Sequence, residues 1–145
     1  MDAYTLFQEY LQIDHQVDEF YHTLAQGLGL SDSALWVLWG LVEQGEDCTQ
    51  SSLCRQFFLS KQTVHSSVRK LEQDGFLSLR PKEGREVSLV LTERGRELVR
   101  EKVLPAMEAE RTAAKGLTEE EWRTLIRLSE KWLSHFRAAA PIPKK

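Results

Sequence analysis

Residues 60–76, SKQTVHSSVRKLEQDGF, place hydrogen-bond donors at helical spacing. Val64, Val68 and Leu71 stand at i, i+4 and i+7, so they predict one apolar stripe along a helix. The opposite face carries side chains that donate hydrogen bonds or bear positive charge: Lys61, Gln62, His65, Ser66 and Arg69. Such side chains can reach base edges and phosphates in the major groove of a DNA duplex. The alternative interpretation is an ordinary solvated helix face.

The charge of the chain is unevenly distributed. The 145 residues carry a formal net charge of −3. Residues 1–60 contain nine acidic and one basic residue, whereas residues 61–100 contain nine basic and six acidic ones. The basic excess therefore coincides with the donor-bearing helix, and the mean charge is a poor guide to the partner.

Length and composition favour one soluble domain over residues 1–145, with 41% hydrophobic and 28% charged residues. The longest dense apolar run, LWVLWGLV at residues 35–42, is too short to span a bilayer. The amino-terminal segment lacks the basic start of a secretory signal. The two cysteines do not make a disulfide framework. We therefore expect a cytoplasmic protein without a membrane partner.

The periodicity of the sequence predicts the elements around the donor-bearing helix. Helices are expected at about residues 4–26, 32–43, 49–57, 61–74, 93–115 and 119–137, with N-caps at Ser31, Thr49, Ser60, Thr92 and Thr118. Two short β-rich runs, residues 76–80 and 87–91, flank a Pro- and Gly-containing loop and predict a hairpin. Thr118 and Glu121 predict a capping box, and Pro105 should kink the long helix. The fold class is therefore mainly α with a small β-hairpin wing, a winged helix-turn-helix flanked by terminal helices.

The stretch TQSSLCRQFFLSKQTVHSSVRKLEQDGFLSLRPKEGREVSLVLTERGREL resembles the MarR family of bacterial transcriptional regulators. The family's wing signature, D-x-R-x-x-x-L-x-L-T, is matched by Glu83, Arg85, Leu89, Leu91 and Thr92, with glutamate in place of the aspartate that helps to position the wing arginine. Residues 117–133, LTEEEWRTLIRLSEKWL, are similar to the family's last helix. The resemblance implies a repressor that binds palindromic operators as a homodimer and is often released by a small molecule or by oxidation.

The candidate DNA-binding residues lie on the recognition helix, the preceding helix and the wing. They are Ser51, Ser60, Lys61, Gln62, Thr63, His65, Ser66, Arg69, Lys70, Lys82 and Arg85. The last two stand on the hairpin loop, where a wing can meet the minor groove or a phosphate. We place the winged-helix part at about residues 31–100.

The terminal helices, about residues 1–30 and 101–140, are predicted to form the dimer. In an isolated protomer we expect them to expose Phe7, Leu11, Trp132, Leu133 and Phe136. A cleft between the dimerisation helices and the winged helix could bind a small aromatic or lipophilic effector through Phe20, Tyr21, Trp36 and Trp39. The alternative is that these aromatic residues simply belong to the core.

The two cysteines are candidates for a redox sensor. Cys54 is expected to be a small buried residue packed against the recognition helix. Cys48 lies beside Glu46 and Asp47, whose carboxylates should raise its thiol pKa and disfavour a redox role. A thiol-based redox regulator is therefore the minor alternative.

A second possible sensor is the helical set of His15, Glu19 and His22, which could ligate a metal. A hydrated helix face is the favoured interpretation, so we predict no metal and no cofactor. The sequence contains no Gly-rich phosphate loop, nucleophile elbow or Cys-x-x-Cys pair, so we predict no enzymatic activity. The alternative to a DNA-binding regulator is a winged-helix protein-interaction module that does not bind duplex DNA, which the acidic first third mildly favours.

Overall fold

The computed structural model describes residues 1–84 and 86–143. The helices are α1 (Ala3–Gly27), α2 (Asp32–Gln44), α3 (Gln50–Phe57), α4 (Lys61–Gln73), α5 (Glu93–Leu98), α6 (Leu104–Ala114) and α7 (Glu119–Ala139). Strands β1 (Leu77–Pro81) and β2 (Val87–Leu91) pair antiparallel, with Leu77 opposite Leu91 and Pro81 opposite Val87. A 3-10 turn covers Gly45–Asp47. The predicted fold class, mainly helical with a hairpin wing after a helix-turn-helix, is confirmed.

The chain divides into two compact units, Met1–Met107 and Glu108–Lys145. The first unit contains α1 together with the winged helix, α2 to β2. The second unit contains α7.

Local sequence determines where the helices begin. The side chains of the five predicted N-cap residues, Ser31, Thr49, Ser60, Thr92 and Thr118, each accept a backbone N–H from the first turn of their helix. These bonds satisfy donors that have no partner within the helix itself. The predicted capping box of α7 is confirmed, because Glu121 also accepts the backbone N–H of Thr118 at 2.9 Å.

The segment after β2, predicted as one helix over about residues 93–115 with a kink at Pro105, is divided by a π-helical turn instead. A π-helical turn at Val99–Val103 separates α5 from α6. Leu104 donates its N–H to the Val99 carbonyl, five residues earlier. Pro105 follows directly and has no N–H to donate to the carbonyl four residues before it. The wider π turn therefore stands where the proline would interrupt an α-helical ladder.

The core of the first unit is centred on α2, as its apolar sequence predicts. Leu35, Leu38 and Leu41 are buried there. The predicted apolar stripe of α4, formed by Val64, Val68 and Leu71, is also buried in this core. The burial of these two helices against one another determines which face of α4 remains on the outside.

Candidate nucleic-acid interface

Two independent contacts determine the rotation of α4 about its axis. Its apolar stripe is buried, and the hydroxyl groups of Ser67 on α4 and Ser33 on α2 share a hydrogen bond of 2.5 Å. The opposite face is exposed to solvent. Its members are Lys61, Gln62, Thr63, His65, Ser66, Arg69 and Lys70. The core therefore presents the predicted donor face outward, which is the arrangement that a recognition helix needs.

The side chains on this face differ in whether they already form hydrogen bonds or ion pairs within the protein. Within the described part of the chain, the side chains of Gln62, Ser66 and Arg69 form no hydrogen bond or ion pair, so they are available to a partner. By contrast, Ser60 caps α4 and donates its hydroxyl to Thr63 Oγ1 at 2.8 Å. Lys70 lies 3.5 Å from Asp74 on the same helix. We therefore expect the first group to carry the base contacts.

A groove of about 680 Å³ lies between α3 and α4. Its lining consists of Gln50, Ser51, Cys54, Arg55, Lys61 and His65. His65 Nδ1 donates a hydrogen bond to Gln50 Oε1 at 3.3 Å, which joins the two helices across the groove. Gln50 and Arg55 were missed as site residues in the sequence analysis. One signal could have found Arg55: it follows Ser51 by four residues, so both stand on one face of α3.

The stretch of chain that forms this groove is basic although the protein is acidic. Residues 48–71 contain four basic residues, Arg55, Lys61, Arg69 and Lys70, and no aspartate or glutamate. This stretch covers α3, the turn and nearly all of α4. Its local charge therefore complements a polyanion, and the acidic residues that set the net charge lie elsewhere in the sequence.

The wing is anchored at its base to the 3-10 turn. Leu89 donates its N–H to the Cys48 carbonyl at 2.8 Å, and Ser88 donates its hydroxyl to the Glu46 carbonyl at 3.0 Å. Lys82 Nζ lies 3.3 Å from Asp47 Oδ1, and the lysine side chain is half-buried. Lys82 thus holds the hairpin to the turn, in addition to the phosphate role predicted for it. Arg85, the predicted wing-tip contact, lies outside the described residues.

Three of the four predicted effector-binding residues form one aromatic cluster in the first unit. The ring of Trp36 lies 5.0 Å from Tyr21, 5.6 Å from Trp39 and 5.3 Å from Phe57. Trp39 is buried in the core, whereas Phe20 is 66% exposed on α1. The core interpretation therefore fits Trp39, and Phe20 stands apart from the cluster.

A small cavity borders this cluster. It measures about 180 Å³ and is lined by Asp18, Tyr21, His22, Asp32, Leu35 and Trp36. Drug-sized ligands usually occupy about 300–1,000 Å³. This space is below that range, so it would hold only a ligand smaller than drug size, and Asp18, His22 and Asp32 make half of its lining polar.

The two cysteines lie in different environments. Cys48, in the loop between the 3-10 turn and α3, is fully buried in the core, whereas Cys54, predicted to be buried, is only half-buried in the α3–α4 groove. Burial raises the pKa of the Cys48 thiol to about 11, so desolvation, and not the neighbouring carboxylates, is the cause. Cys48 is therefore protonated and unreactive at neutral pH.

His22 has a partner on the next helix. Its Nδ1 donates to Asp32 Oδ1 at 2.7 Å. That hydrogen bond, with the charge of Asp32, raises the pKa of His22. Among the described residues, no group of three or more histidine, cysteine, aspartate or glutamate side chains is placed to hold a metal ion. None of the helices in the described part of the chain is both long and apolar enough to cross a membrane.

One family model and several solved structures are similar to this chain. Residues 28–86 match the family model of the MarR family. The chain is similar in fold to MepR of Staphylococcus aureus in its DNA complex, at 21% identity over 93% of this chain and 96% of that one, with a TM-score of 0.71. It is also similar to NMB1585, a MarR family regulator from Neisseria meningitidis, at 21% identity over 95% and 96% of the chains, with a TM-score of 0.75.

A third solved structure is S. aureus MarR in complex with salicylate and kanamycin, at 12% identity over 95% and 94% of the chains, with a TM-score of 0.66. At such identities the likeness establishes the winged-helix fold. No curated protein matches the sequence. The matched stretch, residues 28–86, includes both α3 and α4, so it contains the groove and the donor face.

Proposed function

We propose that this protein is a MarR-family transcriptional regulator that binds near-palindromic duplex DNA as a homodimer. The observation that carries the proposal is the exposed donor face of α4, rotated outward by its buried stripe and surrounded by a stretch of chain without acidic residues. The DNA complex of a protein with the same fold agrees with this assignment. The regulator is proposed to act as a repressor.

The recognition helix α4 enters the major groove in this proposal. Gln62, Ser66 and Arg69 read base edges, because their side chains have no competing partner among the described residues and carry donors of the right kind. Arg55 and Lys61, which line the groove beside them, contact phosphates and position the helix. Arg85 is proposed as a wing contact to the minor groove or the backbone.

The dimer is proposed to form through the terminal helices. No residue of α7 is buried, although the helix is strongly amphipathic. Its apolar stripe consists of Trp122, Leu125, Ile126, Leu128, Trp132, Leu133 and Phe136. An amphipathic helix gains most of its stability from packing its apolar face. This stripe is therefore expected to pack against an apolar surface of a second protomer.

The exposed apolar side chains of α1 differ from those expected. Phe7 and Leu11 are half-buried, whereas Tyr4, Leu6 and Ile13 are exposed and are the residues that we assign to the interface. Two-fold symmetry of such a dimer gives operator half-sites about one or two helical turns apart. A small aromatic or lipophilic effector is proposed to act through the small cavity beside Tyr21 and Trp36.

The test is a salt titration of binding to an operator and to a scrambled duplex. The operator is first obtained by sequencing the genomic fragments that the purified protein selects. Gln62→Ala and Arg69→Ala should each weaken the operator by about 1–3 kcal/mol more than the scrambled duplex. Arg123→Ala, on α7 where the arginine pairs with Glu119, is the control outside the proposed interface and should change neither affinity.

Two results would count against this function. If no genomic fragment is selected and affinity for duplex DNA does not fall with salt, the protein is a winged-helix interaction module instead. If Gln62→Ala and Arg69→Ala weaken both duplexes equally, α4 does not read the sequence.

A further inference from the structure

Phe58, in the turn between α3 and α4, has a backbone conformation that is unusual for its residue type. Its φ and ψ are 53° and 41°, in the left-handed region. Among the described residues it is the only one other than glycine with a positive φ. A side chain with a Cβ is strained in this region, and glycine or asparagine is the usual choice. The turn would therefore be more stable with glycine at this position.

The Phe58 ring is not packed in the core, so core packing does not offset this strain. The side chain is 93% exposed, so a phenyl ring stands in water. Its neighbours anchor the turn: Phe57 stacks on Trp36 at 5.3 Å, and Leu59 packs against the core. Because both neighbours point inward, the left-handed residue between them is directed outward. Strain of this kind is typical of residues with a functional contact.

The position of the ring suggests its partner. Phe58 lies two residues before Ser60, the N-cap of α4, and between Arg55 and Lys61, which line the α3–α4 groove. The amino-terminal end of a recognition helix is the part that commonly approaches base edges. The cationic surroundings fit a nucleic acid better than an apolar surface of another protein.

We propose that Phe58 is a specificity-determining residue whose ring packs against the 5-methyl group of a thymine in the major groove of each half-site. Thymine is the base that presents a methyl group there, and phenylalanine is one of the side chains that contact it. This inference rests on the proposed DNA-binding function. It adds an apolar contact to a helix face whose other predicted contacts are polar.

The experiment replaces single thymines of the selected operator with deoxyuridine, which removes only the methyl group. For the wild-type protein, one replacement in a single half-site should weaken binding by about fourfold, the effect of one buried methyl-sized group. Phe58→Gly should bind the unmodified operator more weakly than wild type. It should also show no further loss with deoxyuridine at that position.

Stability measurements separate this effect from unfolding. Phe58→Gly relieves the positive φ, so its melting temperature should rise, whereas Phe58→Ala removes the ring but keeps the strained backbone. Both variants should lose the response to deoxyuridine. Wild-type binding that is insensitive to every deoxyuridine replacement would overturn the inference and leave the proposed function intact.

A change in molecular mass of Phe58→Gly, with operator affinity unchanged, would also overturn it and identify the ring as a protein contact. If wild-type protein binds no duplex at all, it is the proposed function that fails.

Discussion

A Cβ atom on Gly95 would lie 1.8 Å from the carbonyl oxygen of Phe76. Gly95 is in the first turns of α5, and Phe76 immediately precedes β1. The same carbonyl accepts the backbone N–H of Thr92 at 3.1 Å, and the Thr92 hydroxyl donates to the Gly75 carbonyl at 2.6 Å. The helix after the wing is thus packed directly on the backbone that enters the wing, which only a residue without a Cβ permits.

The first prediction tests this close approach. Gly95→Ala should reduce the free energy of unfolding by about 1–3 kcal/mol, because the added methyl group meets backbone and not a movable side chain. Gly27→Ala is the control, since nothing lies within 4 Å of a Cβ there. It should leave stability unchanged or slightly raised. Urea unfolding of the two variants measures the difference, and equal midpoints would contradict the packing described.

The second prediction concerns thiol reactivity. In the folded protein at neutral pH, a thiol reagent should label Cys54 and leave Cys48 unmodified, because Cys48 is buried and its pKa is about 11. Cys54→Ser should therefore abolish labelling until denaturant is added. Operator DNA should slow the labelling of Cys54, since that residue lines the α3–α4 groove. Rapid labelling of folded Cys54→Ser would show that Cys48 is accessible.

The third prediction is a pH dependence of stability from the His22–Asp32 pair. Its hydrogen bond raises the pKa of His22, so folding favours the charged imidazole. The contribution is fully present below the ordinary histidine pKa of 6.5 and is lost as the pH rises through the higher value of the folded protein.

Thermal unfolding at low salt measures this dependence. The melting temperature of wild type should exceed that of His22→Gln at acidic pH, and the two should converge at alkaline pH. His15→Gln, at an exposed histidine on the same helix, is the control. If the melting temperature of wild type exceeds that of His22→Gln by the same amount at acidic and alkaline pH, the contact stabilises the fold by packing and not by charge.

The fourth prediction tests Arg55, which lies on α3 and lines the groove beside α4. Arg55→Gln should weaken operator and scrambled duplex alike and reduce the slope of log affinity against log salt by about one per protomer. Arg123→Gln removes the same charge from α7, where the arginine pairs with Glu119 at 2.8 Å, and should leave the slope unchanged. Equal slopes for Arg55→Gln and wild type would remove Arg55 from the interface. Arg85→Ala is predicted to act as Arg55→Gln does.

The fifth prediction tests the dimer. Leu133→Glu places a charge in the exposed apolar stripe of α7, and it should shift the protein to a monomer in light scattering at micromolar concentration. Lys131→Glu is the control for added negative charge on the same helix, and it should remain dimeric. The loss of the dimer should also weaken operator binding, because a monomer binds one half-site at a time and loses the gain in affinity from binding both at once. A monomeric wild-type protein would contradict the proposed interface.

Local patterns in the sequence predicted the helices, their caps and the rotation of α4. The spacing of Val64, Val68 and Leu71 encodes which face is apolar, and Ser60 and Thr118 encode where helices begin, so neighbouring residues suffice. The π turn before Pro105 is also local, yet the choice between a kink and a π turn depends on what the helix packs against, which the spacing does not contain.

The features that required the tertiary structure all depend on residues distant in sequence. Cys48 is buried where β2 packs against the end of the 3-10 turn, with Leu89 donating its N–H to the Cys48 carbonyl, although the residues that precede it, Glu46 and Asp47, are charged. Lys82 pairs with Asp47, 35 residues away. Arg55 becomes part of the candidate site only because α3 packs beside α4, and Phe58 is exposed because the turn between them is anchored on both sides. The sequence by itself determined which faces are apolar and where helices begin, since those depend on spacing along the chain. Which side chains share a surface was decided by tertiary packing, since a contact between distant segments leaves no periodic signal in either one.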